Sequence, residues 1–219
     1  MRLNLSLTAN DKTIPFDYQH KLTGRLHKWL GENDIHDDLS LYSFSWLWNS
    51  EKRDDGFSFP NGARWAISCW NPAMAKFLMD GIMKDTEILN GMKVNEVTLQ
   101  QIPEFGNDYT FTTSSPILIR MKREDGSVEH LDYRDERFDE RIKQVLNRKA
   151  QKAKLELSEF DIMTDKKYKG NKTKMVKIKD IGNKANFVRV RIKGDENAIK
   201  FAWCVGLGES TGSGFGALR

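Results

Sequence analysis

The chain has 219 residues, enough for one large domain or two of about 100 residues each. Hydrophobic residues make up 39%, enough for a core, but no apolar run approaches the length of a membrane span, and the start MRLNLSL lacks the charged onset and apolar stretch of a signal peptide. Cys69 and Cys204 are far apart in sequence and outside any metal-ligand spacing, and there is no HExxH, paired CxxC or Walker loop, so metal-centred and nucleotide-hydrolysing enzymes have little support. We therefore expect a cytoplasmic protein with packed thiols, no metal and no cofactor.

In chain order, residues 1–8 alternate apolar and polar and predict a first strand. A helix follows over about Gln19–Leu30, with Leu22, Leu26, Trp29 and Leu30 on one face and Gly31 as its stop. Ser40–Trp48 predicts a second strand and Arg64–Trp70 a third. Asn71-Pro72 opens a second helix with Ala75, Leu78, Met79 and Ile82 inward, and Met92–Gln101 closes the unit as a strand. This βαββαβ order is the ferredoxin-like pattern, the skeleton of RNA-binding RRM domains.

The second half is less regular. Thr110–Lys122 predicts a strand, Gly126 a turn, and Asp135–Lys154 a charged helix with Phe138, Ile142 and Val145 inward. Strands are expected at about 155–164, 173–179 and 186–193, and a helix at Ala198–Val205 before a glycine-rich loop and a short strand. The expected fold is α+β, two tandem ferredoxin-like (RRM-like) domains over 1–105 and 106–219.

Net charge is only +4, but eleven Lys or Arg lie between Lys166 and Lys193, opposed by Asp180 alone, so the rest of the chain is net acidic. TKMVKIK and NFVRVRIK alternate within this segment, which predicts a strand pair with one basic face. Lys172, Lys174, Lys177, Lys179, Arg189 and Arg191 are the expected contacts to a phosphate backbone. The tail GLGESTGSGFG places Gly206, Gly208, Gly212, Gly214 and Gly216 in eleven residues. Such a loop lets main-chain N–H groups approach phosphates. It is not a dinucleotide fingerprint, because no βαβ unit follows it.

That tail resembles the GhGxxxxxGhG loop (h apolar) of the repeat-associated RNA-binding superfamily of CRISPR systems. Pro15-Phe16-Asp17-Tyr18-Gln19-His20 through Leu26, LYSFSWL at 41–47, and Ser114-Ser115-Pro116-Ile117 are similar to segments of the CRISPR repeat endoribonucleases, the Cas-six family. The resemblance covers both ends and the middle, and 125–165 matches nothing. It implies metal-independent cutting of CRISPR repeat RNA (pre-crRNA), leaving a 5′-hydroxyl and a 2′,3′-cyclic phosphate. Other partners it allows are CRISPR effector subunits or a homodimer, with no membrane.

Cleavage by the RNA's own 2′-hydroxyl needs a base, an acid and a stabiliser for the charged phosphorane, and histidine suits both proton roles near neutral pH. The family's catalytic helix position falls on His27 and its catalytic loop histidine on His36. His36 is assigned as acid and His27 as base, with the roles exchangeable. Family members often place a lysine where this chain has Ser40; Lys28, Lys52 or a residue of 166–193 would substitute. His20, seven residues before His27, shares its helix face and either supports the site or caps the helix. His130 reads as a surface residue. Trp46, Trp65 and Trp70 read as core, and Trp48 as the better stacking platform. Two rival readings stand beside this one. The first is a non-catalytic RNA-binding subunit of a CRISPR effector complex, which would need neither histidine. The second is an RRM-type module, which the lack of an RNP-like aromatic run disfavours.

Overall fold

The computed structural model describes residues 1–31, 39–178 and 181–219. The first half runs β1 (Arg2–Leu7), α1 (Gln19–Leu30), β2 (Tyr42–Phe44), β3 (Glu51–Lys52), β4 (Phe57–Ser58), β5 (Ala63–Cys69), α2 (Pro72–Lys84), β6 (Glu87–Leu89) and β7 (Met92–Gln100). Its sheet has the order β2-β5-β1-β7-β6, with β1 antiparallel to both β5 and β7. Numbering only the strands of the βαββαβ unit, that is 2-3-1-4, with β6 added at the edge. Alternation in β1 turns Leu3, Leu5 and Leu7 into a core shared with Leu22, Leu26 and Trp29 of α1 and Leu78 of α2. Asn71 caps α2, its side chain accepting from the Ala73 N–H at 2.9 Å ahead of Pro72 in the first turn.

The second half runs β8 (Asp108–Thr112), β9 (Arg120–Lys122), β10 (Val128–His130), α3 (Arg137–Lys152), β11 (Phe160–Thr164), β12 (Lys172–Ile178), β13 (Ile181–Phe187), β14 (Arg189–Gly194) and α4 (Glu196–Val205). The sheet order is β11-β14-β8. The last residues extend it: Leu218 bridges Thr113, and the Arg219 N–H donates to Thr112 O at 2.8 Å. This is again 2-3-1-4, with β9–β10 and β12–β13 inserted as hairpins. The expected tandem ferredoxin-like architecture is the one observed. Arg2 links the two sheets, its guanidinium donating to Ser68 Oγ and Leu218 O at 2.7 Å each and stacking on Trp203. Both cysteines are buried and unbridged.

Three expectations need correction. Thr110–Lys122 is not one strand: Ser114-Ser115-Pro116 leaves the sheet, and Ile117 and Leu118 instead bridge Asn186 and Glu209. The two basic segments are not partners. β12 forms a hairpin with β13, whereas β14 lies between β8 and β11 in the other sheet. Nor does β12 separate charge from apolar surface. Lys172 and Lys174 share a face with buried Val176, and Lys177 falls on the other. Only β14 keeps the expected division, with Val190 and Ile192 buried beneath Arg189 and Arg191.

Candidate functional site

His27 lies in the last turn of α1, half-buried, where Gly31 ends the helix at φ 70° and donates its N–H to His27 O. Its Nε2 is 3.2 Å from the hydroxyl of Tyr42 on β2. Tyr42 also hydrogen-bonds Ser40, and burial pushes its phenol up to about 12, so it stays neutral around pH 7. It therefore orients the imidazole rather than ionising. The tail packs directly on this group. A Cβ at Gly212 would collide with Ser40 Oγ and come within 2.7 Å of Tyr42 Oη, so only glycine lets the backbone lie there.

The glycine loop is an interior element. Gly206, Gly208, Gly212, Gly214 and Gly216 are all buried. The N–H groups of Leu207, Glu209 and Gly216 donate to Gly216 O, Leu118 O and Pro116 O at 2.9 Å each, and Trp46 Nε1 donates to Gly214 O at 2.9 Å. These bonds to the protein, with the tight approach at Gly212, account for the glycines through packing. Beneath the loop lies Lys149 of α3, only 1% exposed. Its ammonium donates to Thr211 Oγ1 at 2.9 Å, Val205 O at 3.0 Å and Gly206 O at 3.4 Å, an acceptor set that matches its three N–H donors. Burial pulls its pKa down to about 7, opposed by Glu209. From above, Arg120 holds Glu209 at 2.8 Å and Ser210 at 3.2 Å.

The other predicted residues scatter. His36 and Lys179 lie outside the described residues. His20 Nδ1 is 2.7 Å from Asp17 O; a carbonyl only accepts, so this nitrogen carries the proton and ties the ring to the start of α1. That is two helical turns, about 11 Å, from His27. Lys28 reaches Asp85 at 2.8 Å, at the end of α2. Lys52 lies at the opposite end of α1 from His27, beside Gln19. Lys174 sits 4.8 Å over Trp46 and Lys172 5.3 Å over Phe187, while Lys177 is exposed. Arg189 stacks on Tyr168 at 3.7 Å, and Arg191 is ion-paired to Asp108 through two contacts, one of 2.6 Å. Trp65 is core, but Trp46 is half-buried and joins Trp48, Tyr168 and Phe187 around a cleft of about 280 Å³ between the two sheets, with Lys172 and Arg219 at its edge.

Sequence reasoning missed Tyr42 and Lys149. Lys149 had a readable signal: it continues the stripe Phe138, Ile142, Val145 on α3, where an exposed lysine does not belong.

The family model for CRISPR associated protein Cas6, C-terminal, matches residues 100–219. A protein of Pyrococcus furiosus named putative CRISPR-associated endoribonuclease-like protein Cas6 is 28% identical over 159 residues, 70% of this chain. The match spans 66% of that relative, just under two thirds of its length. A solved structure described as the characterization of a Cas6-related gene from Pyrococcus furiosus superposes with a TM-score of 0.88 at 25% identity, covering 100% of this chain and 97% of that one. A solved RAMP protein described as binding different RNA substrates shares the fold at a TM-score of 0.86 and 21% identity, covering 100% of this chain and 98% of that one. With more than half of its length matched by that model, the chain belongs to the Cas6 family of CRISPR-associated proteins.

Proposed function

We propose that this chain is an endoribonuclease of the cytoplasm that cuts CRISPR repeat RNA to release crRNA, with 1–105 and 106–219 as its two domains. The observation that carries the reading is the half-buried His27 imidazole, held by Tyr42 at the end of α1 in a member of the Cas6 family. His27 is the base that takes the proton from the 2′-hydroxyl beside the scissile phosphate. The 2′-oxygen then bonds to phosphorus. The P–O bond to the 5′-oxygen breaks as His36, the acid, protonates that oxygen. The products are a 2′,3′-cyclic phosphate and a 5′-hydroxyl, and the nucleophile comes from the RNA rather than from a metal-bound water. The roles of the two histidines can be exchanged without changing the products. Tyr42 and Ser40, backed by the glycine loop, hold the imidazole in place.

The RNA backbone runs along the basic hairpin, over Lys172, Lys174 and Lys177, and past Arg189 and Arg191, where Asp108 and Asp165 compete for the cations; Lys179, outside the described residues, is a further contact. The aromatic cleft beside the hairpin suits unpaired bases. Effector subunits or a second copy of the chain are further partners. A specific observation favours a second reading, an RNA-binding subunit that does not cut: the Pyrococcus furiosus relative and one from Pyrococcus horikoshii both carry "endoribonuclease-like" in their names. Incubating the protein with the host's own repeat RNA and mapping the ends separates the two. A single cut bearing a 5′-hydroxyl supports the nuclease, and tight binding of intact RNA supports the second reading.

A further inference from the structure

At the end of α1 remote from His27, a groove of about 700 Å³ opens between the segment around Phe16, the β3–β4 hairpin and β12. The volume falls in the range of about 300–1,000 Å³ common for small-ligand sites. Phe16 is 43% exposed and stands edge-on to Phe57 at 5.0 Å, which fixes its ring. Opposite, Met175 is 64% exposed, an apolar side chain presented on a basic strand. Lys52, Lys174 and Lys177 line the groove together with Asp17, so its charged side chains are net basic. Gln19 also lines the groove. It is 2% exposed, and its Oε1 is buried with no hydrogen-bond donor among the described residues. A buried carbonyl without a donor is costly and uncommon in a native protein, so a missing donor is its natural complement.

We propose that this groove takes one unpaired nucleobase of the RNA, stacked on Phe16 and Met175, whose exocyclic amino group donates to Gln19 Oε1. The amino groups of adenine, cytosine and guanine are all donors that fit this role. The net basic lining suits the phosphates on either side of the base, which is why a nucleotide is favoured over an apolar peptide. His27 lies eight positions after Gln19, about 12 Å along the helix, so the base belongs to a nucleotide near the scissile phosphate but not at it. The inference rests on the reading of the chain as a binder of CRISPR repeat RNA.

The test measures the affinity of the full chain for the host's repeat RNA with 2′-fluoro sugars, which lacks the cleavage nucleophile. Abasic residues are placed one at a time along the RNA, and at any sensitive position the base is then replaced by its counterpart without the amino group. For the natural protein, one position should lose about ten-fold as an abasic site, and about five-fold on loss of the amino group alone. Gln19→Leu should bind the unmodified RNA about five-fold more weakly and be indifferent to the amino group. Its melting temperature should be unchanged or higher, because an unsatisfied buried oxygen has been removed. Phe16→Ala, at an exposed ring, should shrink the abasic penalty. If the abasic and amino penalties are the same in both variants as in the natural protein, the groove proposal fails while RNA binding stands. A Gln19→Leu protein that melts lower and loses affinity equally for every RNA would make Gln19 structural and also overturn the proposal. Failure of the natural protein to bind repeat RNA at all would overturn both the groove and the reading beneath it.

Discussion

The two ends of α1 are built differently. At its C-terminal end His27 touches the Tyr42 hydroxyl, Tyr42 bonds Ser40, and the glycine loop closes over them, itself anchored by the three-donor Lys149. At its N-terminal end Gln19 keeps a buried oxygen without a donor among the described residues, beside exposed Phe16 and Met175, three lysines and Asp17. The chemistry proposed for the first end needs groups held within fractions of an ångström, and its internal hydrogen bonds supply that. The recognition proposed for the second end needs atoms left for the ligand to satisfy, and Gln19 Oε1 is one among the described residues.

Substitutions at the proposed catalytic end should separate rate from affinity. His27→Ala should lower the single-turnover cleavage rate by about 10²–10⁴-fold while repeat RNA binds almost as before, and His36→Ala should do the same. An unchanged rate for His27→Ala would remove the closed end of α1 from the chemistry. The next largest effect is on stability. Lys149→Met leaves Val205 O, Gly206 O and Thr211 Oγ1 without their donor, which should cost about 2 kcal/mol in urea unfolding.

Lys149 also sets a pH dependence. Its folded pKa of about 7 lies below the ordinary lysine value of 10.5, so between those values the unfolded chain binds the extra proton. Stability should therefore rise from pH 7 towards 10.5, by at most about 1.4 kcal/mol per pH unit, with the full penalty present below 7. That slope should vanish in Lys149→Met. Charge reversal at Lys174 or Lys177 should weaken RNA binding and lower the salt slope by about one for each phosphate no longer held. Unchanged salt slopes would place the backbone elsewhere. The smallest effect belongs to Tyr42→Phe. Loss of one orienting hydrogen bond should slow cleavage by about three- to ten-fold without altering affinity.

Much of the fold was legible from residue patterns. The alternation of residues 1–8 and the stripe Leu22, Leu26, Trp29 located β1 and α1, and with them the helix that carries His27. The β3–β4 pair and β6 were not visible, because two or three residues are too few to show a period. Thr110–Lys122 read as one strand because apolar residues stand on both sides of the polar stretch 112–115; the break at Ser114-Ser115-Pro116 goes with the pairing of Ile117 and Leu118 to Asn186 and Glu209, far away in sequence. Density of charge located the basic segment but could not say that β12 and β14 take different partners, since register is a long-range property. The glycine spacing marked the tail as special. Its neighbours Ser40 and Tyr42 emerge only when the two halves close on each other, and Lys149 only when α3 packs under the tail. The orphaned oxygen of Gln19 has no signature in sequence at all.

The most direct test uses repeat RNA with a single 2′-deoxy sugar just upstream of the cut, assayed beside the natural RNA in excess EDTA. If the nucleophile is the RNA's own hydroxyl, the natural RNA is cut in EDTA to a 2′,3′-cyclic phosphate and a 5′-hydroxyl. The deoxy RNA binds within about ten-fold, one hydroxyl hydrogen bond being worth about 0.5–1.5 kcal/mol, and stays intact. Cutting of the deoxy RNA, or loss of cutting in EDTA with recovery on adding Mg²⁺, would contradict attack by the 2′-hydroxyl with His27 and His36 moving its protons.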